Sequence, residues 1–304
     1  MPYALHANNT SSSVSSSGDT LFIGNQAYIV PGISAANPSG GSNFLNIETA
    51  LIPAGTFTMG SPTTEPQRDF DEVQHQVTLS AFRMSKYEIT NALYAAFLNA
   101  KSIGSNGLYA LGAYPSEPLI YDCGTDNGLS YTGTEWQSEL GFENHPVVCV
   151  TWYGAQEFAT YAGGRLPTGA ECEYACRGNT TSAFNTGACL NSTQANYNWI
   201  FPLTGCSNTS TASPNQTLVV NSYSPNAYGL YNMHGNVWEW CADWYGAYAT
   251  TLQTNPTGPS TGTLRLIRGG SFGSLAQVCR SANRTFGNPF FNDIFYGFRL
   301  AFAP

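Results

Sequence analysis

The stretch YGLYNMHGNVWEWCADW, residues 228–244, constrains the fold more than any other, because it sets Trp238, Trp240 and Trp244 within seven residues. Each indole brings a large apolar surface and an N–H that needs an acceptor once buried. Such a stretch suits an irregular domain whose core is built around aromatics. Composition agrees: aromatics are 13%, Gly 31 and Pro 17, while charged residues are only 10%, against roughly 25% in an average soluble domain. At 304 residues the chain can form one large domain or two small ones, with ample core.

The net charge is −8 and no run of Lys or Arg occurs, which argues against nucleic acid or anionic membranes as partners. No apolar stretch approaches the length of a membrane span, so no direct membrane insertion is expected. The opening MPYALHANNTSSSVSSSGDT lacks a basic region followed by an apolar one, so no export signal is visible. Thr10 to Gly18 reads as a flexible Ser-rich linker, and residues 21–46 as an accessory segment. Residues 1–46 are therefore set apart from a main domain at 47–304. Eight cysteines occur, at 123, 149, 172, 176, 189, 206, 241 and 279. Only Cys172 and Cys176 are closely spaced and no His lies at zinc-ligand distance, so disulfides or buried thiols are preferred to a zinc site. Cys189 and Cys206 are candidates for a bridge within their own loop.

Short strands are expected in IETALIPAGTFTMGS (47–61) and HQVTLSAFRMSKYEIT (75–90). Thr90 can cap a helix running to Ala100, with Leu93 and Phe97 on one face. A second helix is expected over Tyr153–Ala162. A third starts with a capping box, Thr168 as cap and Glu171 three residues on, and stops at Gly178. Residues 102–144 and 179–222 are long, polar and aperiodic, which reads as functional or decorative loops. The class is α+β.

Six stretches together resemble the domain of the formylglycine-generating enzyme (sulfatase-modifying factor) family: IPAGTFTMGS (52–61), YEITNALYAAFL (87–98), HPVVCVTWYGAQEF (145–158), RLPTGAECEYACRG (165–178), YGLYNMHGNVWEWCADW (228–244), and RLIRGGSF through GFRLA (265–301). The resemblance implies a C-type-lectin-like fold, loop-rich and low in regular secondary structure. It also implies a calcium ion held by side-chain oxygens of Asn232 and Glu239 and carbonyls of Gly235 and Val237, a hard-oxygen set suited to that ion. As bare chemistry the same motif also reads as core. The family's second calcium site would begin near Asn196 and Tyr197, but its aspartate is missing from the following loop. The family's disulfide pattern implies a Cys176–Cys279 bridge; the partners of a second family bridge are replaced by Ala159 and Leu300.

The generating enzymes carry a cysteine pair shortly after GGS that binds copper. Here Phe272 to Val278 contains no cysteine, so no copper is expected and the chain is expected not to be an enzyme. The iron-dependent sulfoxide synthases of the family need a histidine cluster, and only His6, His75, His145 and His234 exist. GGSFG (269–273) satisfies G-x-S-x-G, but Ser271 lacks the strand–turn–helix context of a nucleophile elbow.

The C-terminus is more similar to the variable proteins of diversity-generating retroelements, whose fixed words RGGS, CRSANR and GFRLA frame positions rewritten through adenine mutagenesis. All three occur here, at 268–271, 279–284 and 297–301. Asn codons of AAY form can never mutate at adenine to Lys, Glu, Gln, Met or Trp. None of these stands at Phe272, Gly273, Ser274, Leu275, Val278, Thr285, Phe286, Gly287, Asn288, Phe290, Phe291, Asn292, Asp293, Ile294 or Phe295; Gln277 would be a fixed position. The segment neither alternates like a strand nor repeats like a helix. Phe286, Phe290, Phe291 and Phe295 are expected at the surface, because aromatics bury much area at low entropy cost on binding. Tyr296 and Phe298 fit the core. The resemblance thus implies a non-catalytic, hypervariable ligand-binding protein at a cell surface, outside the cell or on a phage particle, with a protein ligand on another cell or host. An altered formylglycine-generating oxidase and a carbohydrate-binding lectin-like module stay open beside it.

Overall fold

Three threonine hydroxyls start the three α-helices among the described residues. Helix α1 (Asn91–Ala100) is capped by Thr90, α2 (Trp152–Tyr161) by Thr151 and α3 (Gly169–Arg177) by Thr168, each accepting from the N–H three residues on. In α3 the Glu171 carboxylate returns the bond to the Thr168 N–H at 2.8 Å, closing the box expected from sequence. Gly178 ends that helix in the left-handed region, φ 52°. Helix α2 begins one residue earlier than expected.

The computed structural model describes residues 45–122, 128–208, 210 and 212–304, and three strands nearer the N-terminus. The chain divides into two units, 1–48 and 49–304. In the first, β1 (Val14–Ser17), β2 (Thr20–Ile23) and β3 (Gln26–Ile29) form an antiparallel sheet in that order. Strand β1 falls inside Thr10–Gly18, which was expected as a flexible linker; apart from these three strands, residues 1–44 lie outside the described residues. The reason is legible afterwards: Gly18-Asp19 and Gly24-Asn25, which separate the strands in sequence, are hairpin-turn compositions.

In the second unit, β4 (Thr49–Ile52), β5 (Gly55–Met59), β6 (His75–Leu79) and β7 (Phe82–Ser85) fall where strands were expected. The hairpin β8 (Leu129–Tyr131) and β9 (Trp136–Ser138) interrupts the first long loop. Strands β10 (Trp238–Trp244), β11 (Gln253–Thr254), β12 (Arg265–Arg268), β13 (Thr285–Gly287), β14 (Tyr296–Gly297) and β15 (Ala301–Phe302) follow. Small sheets result: β13-β12-β10-β14, β11-β6-β5 and β15-β7-β4. Strand β10 is the longest of them, and both its neighbours belong to the C-terminal segment.

The core is aromatic, as the tryptophan motif requires. Tyr94 and Phe97 of α1, Phe158 of α2 and Phe298 pack with ring centroids 5.4–5.9 Å apart. The buried indoles find carbonyl acceptors: Trp136 donates to Ile103, Trp152 to Cys241 and Trp240 to Val150, at 2.9–3.1 Å. Trp240 is fully buried, whereas Trp238 and Trp244 are half-exposed. The fold is α+β and C-type-lectin-like, loop-rich, with many short strands and few helices among the described residues.

Candidate ligand-binding surface

Buried arginines hold the C-terminal stretches RGGS (268–271), CRSANR (279–284) and GFRLA (297–301). Arg280 is 1% exposed; its guanidinium meets Glu65 at 2.6 Å and both oxygens of Glu72 at 2.6 and 2.7 Å. Burial alone would raise the Glu72 pKa, but hydrogen bonds from Arg280 and Ser61 win and hold it below the usual range. Arg268 pairs with Glu173 at 3.0 Å and donates to the carbonyls of Ser281 and Asn283. Arg299 grips Glu239 at 2.6 and 2.7 Å. Arg284 lies between Tyr245 and Tyr248, 4.6 and 3.9 Å from their ring centroids.

Between these anchors the chain turns outward. Phe286, Phe290 and Phe291 are 47%, 45% and 51% exposed. Each leans on a ring below it: Phe286 on Tyr245 at 4.7 Å, Phe290 on Tyr153 at 5.3 Å and Phe291 on Tyr296 at 6.4 Å. The loop backbone is pinned where it passes the domain, since the Pro289 carbonyl accepts from Trp152 N–H and the Asp293 carbonyl from Cys149 N–H, both at 3.1 Å. Gly273, Leu275 and Asp293 are also exposed; Ser274, Val278, Thr285, Asn288, Asn292, Ile294 and Phe295 are half-buried. Rings on a fixed backbone lose little entropy when covered.

Two of the expected surface positions are corrected. Phe272 is buried and Gly287 is too. Phe272 stacks under Phe295 at 4.9 Å, which also makes Phe295 only half-exposed. Gly287 lies so near Trp240 that a Cβ there would stand 2.7 Å from the indole, so no other side chain fits without displacement. Sequence reasoning also missed residues outside the segment. Ile200 and Phe201 are 56% and 51% exposed and sit beside it, with Phe201 O accepting from Ala276 N–H and Asn198 N–H donating to Ser274 O. Arg265 is sandwiched between Trp152 and Trp244 at 3.6 and 3.3 Å, and burial draws its pKa down to about 10. None of the three carries a sequence signal, because their placement depends on contacts far along the chain.

The motif before β10 makes a separate, buried polar cluster. Asn232, Gly235 and Asn236 all adopt positive φ, 52°, 78° and 66°, a region Asn and Gly tolerate best. Asn232 donates to Glu88, and Asn236 donates to the other Glu88 oxygen. Burial, with help from Glu239 and against Arg299, pushes the Glu88 pKa up to about 7. The Asn232 Oδ1 is buried without a hydrogen-bond partner, so it fits an oxygen-seeking cation, while Glu239 is already engaged by Arg299. No cluster of three or more His, Cys, Asp or Glu side chains is placed to hold a metal among the described residues; the set implied for calcium by the resemblance consists of amide and carbonyl oxygens with one carboxylate.

The cysteines are redistributed. Cys189 and Cys206 are bridged, as their shared loop allowed. The implied Cys176–Cys279 bridge is corrected, because both thiols are free and buried. Cys176 Sγ faces the Met233 carbonyl, Ser281 and the His234 ring, while Cys279 Sγ lies against Gly270. His234 Nδ1 donates to the Cys279 carbonyl, 2.7 Å away, while its Nε2 accepts from Asn185 N–H. Burial lowers the His234 pKa to about 4 and raises that of Cys176 to about 11, so the pair is neutral and unsuited to nucleophilic attack. Ser271 is buried with Ser274 Oγ at 3.0 Å.

Residues 36–304 match the family described as "Sulfatase-modifying factor enzyme 1-like domain". A formylglycine-generating enzyme of Thermomonospora curvata is 35% identical over 294 residues, covering 83% of this chain and 92% of that protein. Among solved structures, PvdO from Pseudomonas aeruginosa superposes with a TM-score of 0.65 at 27% identity, covering 84% of this chain and 94% of that one. Variable protein 1 of Treponema denticola gives 0.61 at 23% identity over 84% and 95%, a likeness of fold. The expectation that the chain is not an enzyme is corrected here. Relatives that share the name formylglycine-generating enzyme are 33–35% identical to it over most of its length. A window without cysteine at 272–278 speaks to one chemistry at one place, not to the catalytic capacity of the family.

Proposed function

The chain belongs to the sulfatase-modifying factor enzyme 1-like family, and from that premise we propose that its C-terminal segment is a ligand-binding surface for a protein. The observation that carries this reading is the exposure of Phe286, Phe290 and Phe291 on a backbone held by buried ion pairs. Large rings left half in water on a rigid platform are the usual anchors of interfaces. The finer form of the proposal is a variable protein of a diversity-generating retroelement, with residues 272–295 rewritten between the fixed words. It would act at a cell surface, outside the cell or on a phage particle; the Cys189–Cys206 bridge supports an oxidising location. Sequencing the gene from independent isolates tests the finer form. Substitutions confined to 272–295, beside a near-repeat of that coding segment and a reverse transcriptase gene, are expected; changes spread evenly along the gene would remove it.

A calcium ion at Asn232, Gly235, Val237 and Glu239 belongs to the same proposal, as a structural ion. The partnerless Asn232 Oδ1 supports it. Calcium should raise the melting temperature of chelator-treated protein, and Asn232→Ala should abolish that rise; an unchanged melt on adding calcium removes the ion from the reading.

A second reading follows from the relatives' name: oxidation of a cysteine in a bound peptide. Its support is the 35% identity across 83% of the chain. Incubation with a cysteine-containing sulfatase peptide and copper, followed by mass spectrometry of the peptide, decides it. Conversion of the thiol favours this reading, and an unaltered peptide leaves the binding surface as the function of the segment.

A further inference from the structure

Cys172 on α3 and Cys241 on β10 have their Sγ atoms 3.5 Å apart, both buried and both free. They are 69 residues apart in sequence, so nothing in their spacing pairs them. We propose that Cys172 and Cys241 are a disulfide pair that straps α3 to β10 when the protein folds in an oxidising compartment. This inference does not depend on the binding function proposed above.

The geometry is selective. A disulfide needs an S–S distance of about 2.0 Å, so the pair must close by roughly 1.5 Å. At 3.5 Å the two sulfurs are already in contact, so closure asks only for small rotations of the two side chains. Of the other two free thiols among the described residues, Cys176 meets Met233 O, Ser281 and His234, and Cys279 lies against Gly270. The same chain already carries the Cys189–Cys206 bridge, and Cys149 is also disulfide-bonded. A protein with those bridges meets oxidants while it folds.

The chemistry is thiol–disulfide exchange with a small-molecule disulfide such as glutathione disulfide. One cysteine thiolate attacks a glutathione sulfur and expels the first glutathione thiolate. The second cysteine thiolate then attacks the mixed disulfide and expels the other. The protein pair loses two electrons and two protons, and these appear in two molecules of reduced glutathione. Both thiols are buried once α3 has docked, Cys172 at 4% and Cys241 at 0% exposure, out of reach of a dissolved disulfide. The bridge therefore forms in the folding chain, before the thiols are covered. It matters because β10 carries Trp240, the floor beneath Gly287 and Tyr296.

The test refolds the full chain from its reduced, unfolded state in a glutathione redox buffer, then blocks remaining thiols under denaturing conditions and maps peptides without reduction. A peptide linking Cys172 to Cys241, lighter than the free pair by two hydrogens, is expected. The oxidised protein should melt roughly 5 °C or more above its reduced form, beyond any such difference in Cys241→Ala or Cys172→Ala. Blocked Cys172 and Cys241 in the oxidised protein, or a Cys176–Cys279 peptide instead, would overturn the proposal. If neither variant folds, the map of the unaltered chain decides alone.

Discussion

Between residues 268 and 300 all four arginines are inside, while Phe286, Phe290 and Phe291 are outside. Arg268, Arg280, Arg284 and Arg299 are each at most 5% exposed, while Phe286, Phe290 and Phe291 are near half-exposed. The usual sorting of side chains is inverted over one short segment. The difference teaches that the two sets have separate duties. Each buried guanidinium has carboxylate, carbonyl or ring partners that fix the backbone; a guanidinium without them would be costly there. The rings above touch a few neighbours at their edges, so their identity can change with little effect on the frame.

The comparison breaks first at the frame. Replacing Arg280 by Ala strands Glu72, which is 0% exposed, with its charge uncompensated. A loss of about 3–5 kcal/mol is expected in urea unfolding near pH 7. Trp240→Ala should cost about as much, roughly 3–5 kcal/mol, through the cavity left under Gly287. If Arg280→Ala loses less than about 1 kcal/mol, the frame is not held by its ion pairs.

A smaller effect is expected from Asp243, which accepts the first N–H of α3 at Gly169, 2.7 Å away. Burial raises its pKa from 3.8 to about 6, with the Gly169 bond opposing. The folded state then holds a proton that the unfolded chain releases near pH 4. Its contribution is fully present below about pH 4 and is lost as pH rises through about 6. The change is at most on the order of 3 kcal/mol. Unfolding free energies of the unaltered chain and Asp243→Asn should therefore diverge between pH 4 and 6, in favour of the variant as pH rises. Parallel curves would show that Asp243 is ionised throughout.

The smallest stability effect belongs to the face. Phe286→Ala, Phe290→Ala and Phe291→Ala should each cost about 1 kcal/mol or less in thermal unfolding. Phe295→Ala should cost more than these, because its ring covers Phe272. Three exposed-ring variants that melt as low as Trp240→Ala would make the rings core and end the comparison.

The sequence by itself determined what local chemistry can determine. The starts of α1 and α3 were legible because a threonine hydroxyl and an N–H three residues on decide them, whereas the Thr151 cap of α2 was missed and its start read one residue late. The aromatic core, the loop-rich α+β class and the family likeness were legible from the tryptophan motif and the fixed words. So was the exposure of Phe286, Phe290 and Phe291, since their order suits neither strand nor helix. Only the tertiary structure decided the rest. It buried Phe272 and Gly287, set Ile200 and Phe201 beside residues 274–276, and brought Cys172 to Cys241 while leaving Cys176 and Cys279 unbridged. These outcomes depend on partners that the chain supplies from far away, as when Arg280 reaches Glu72 across 208 positions. Patterns within a window of a few residues record the backbone's local hydrogen bonds, but a side chain's burial is set by whatever the rest of the chain packs against it.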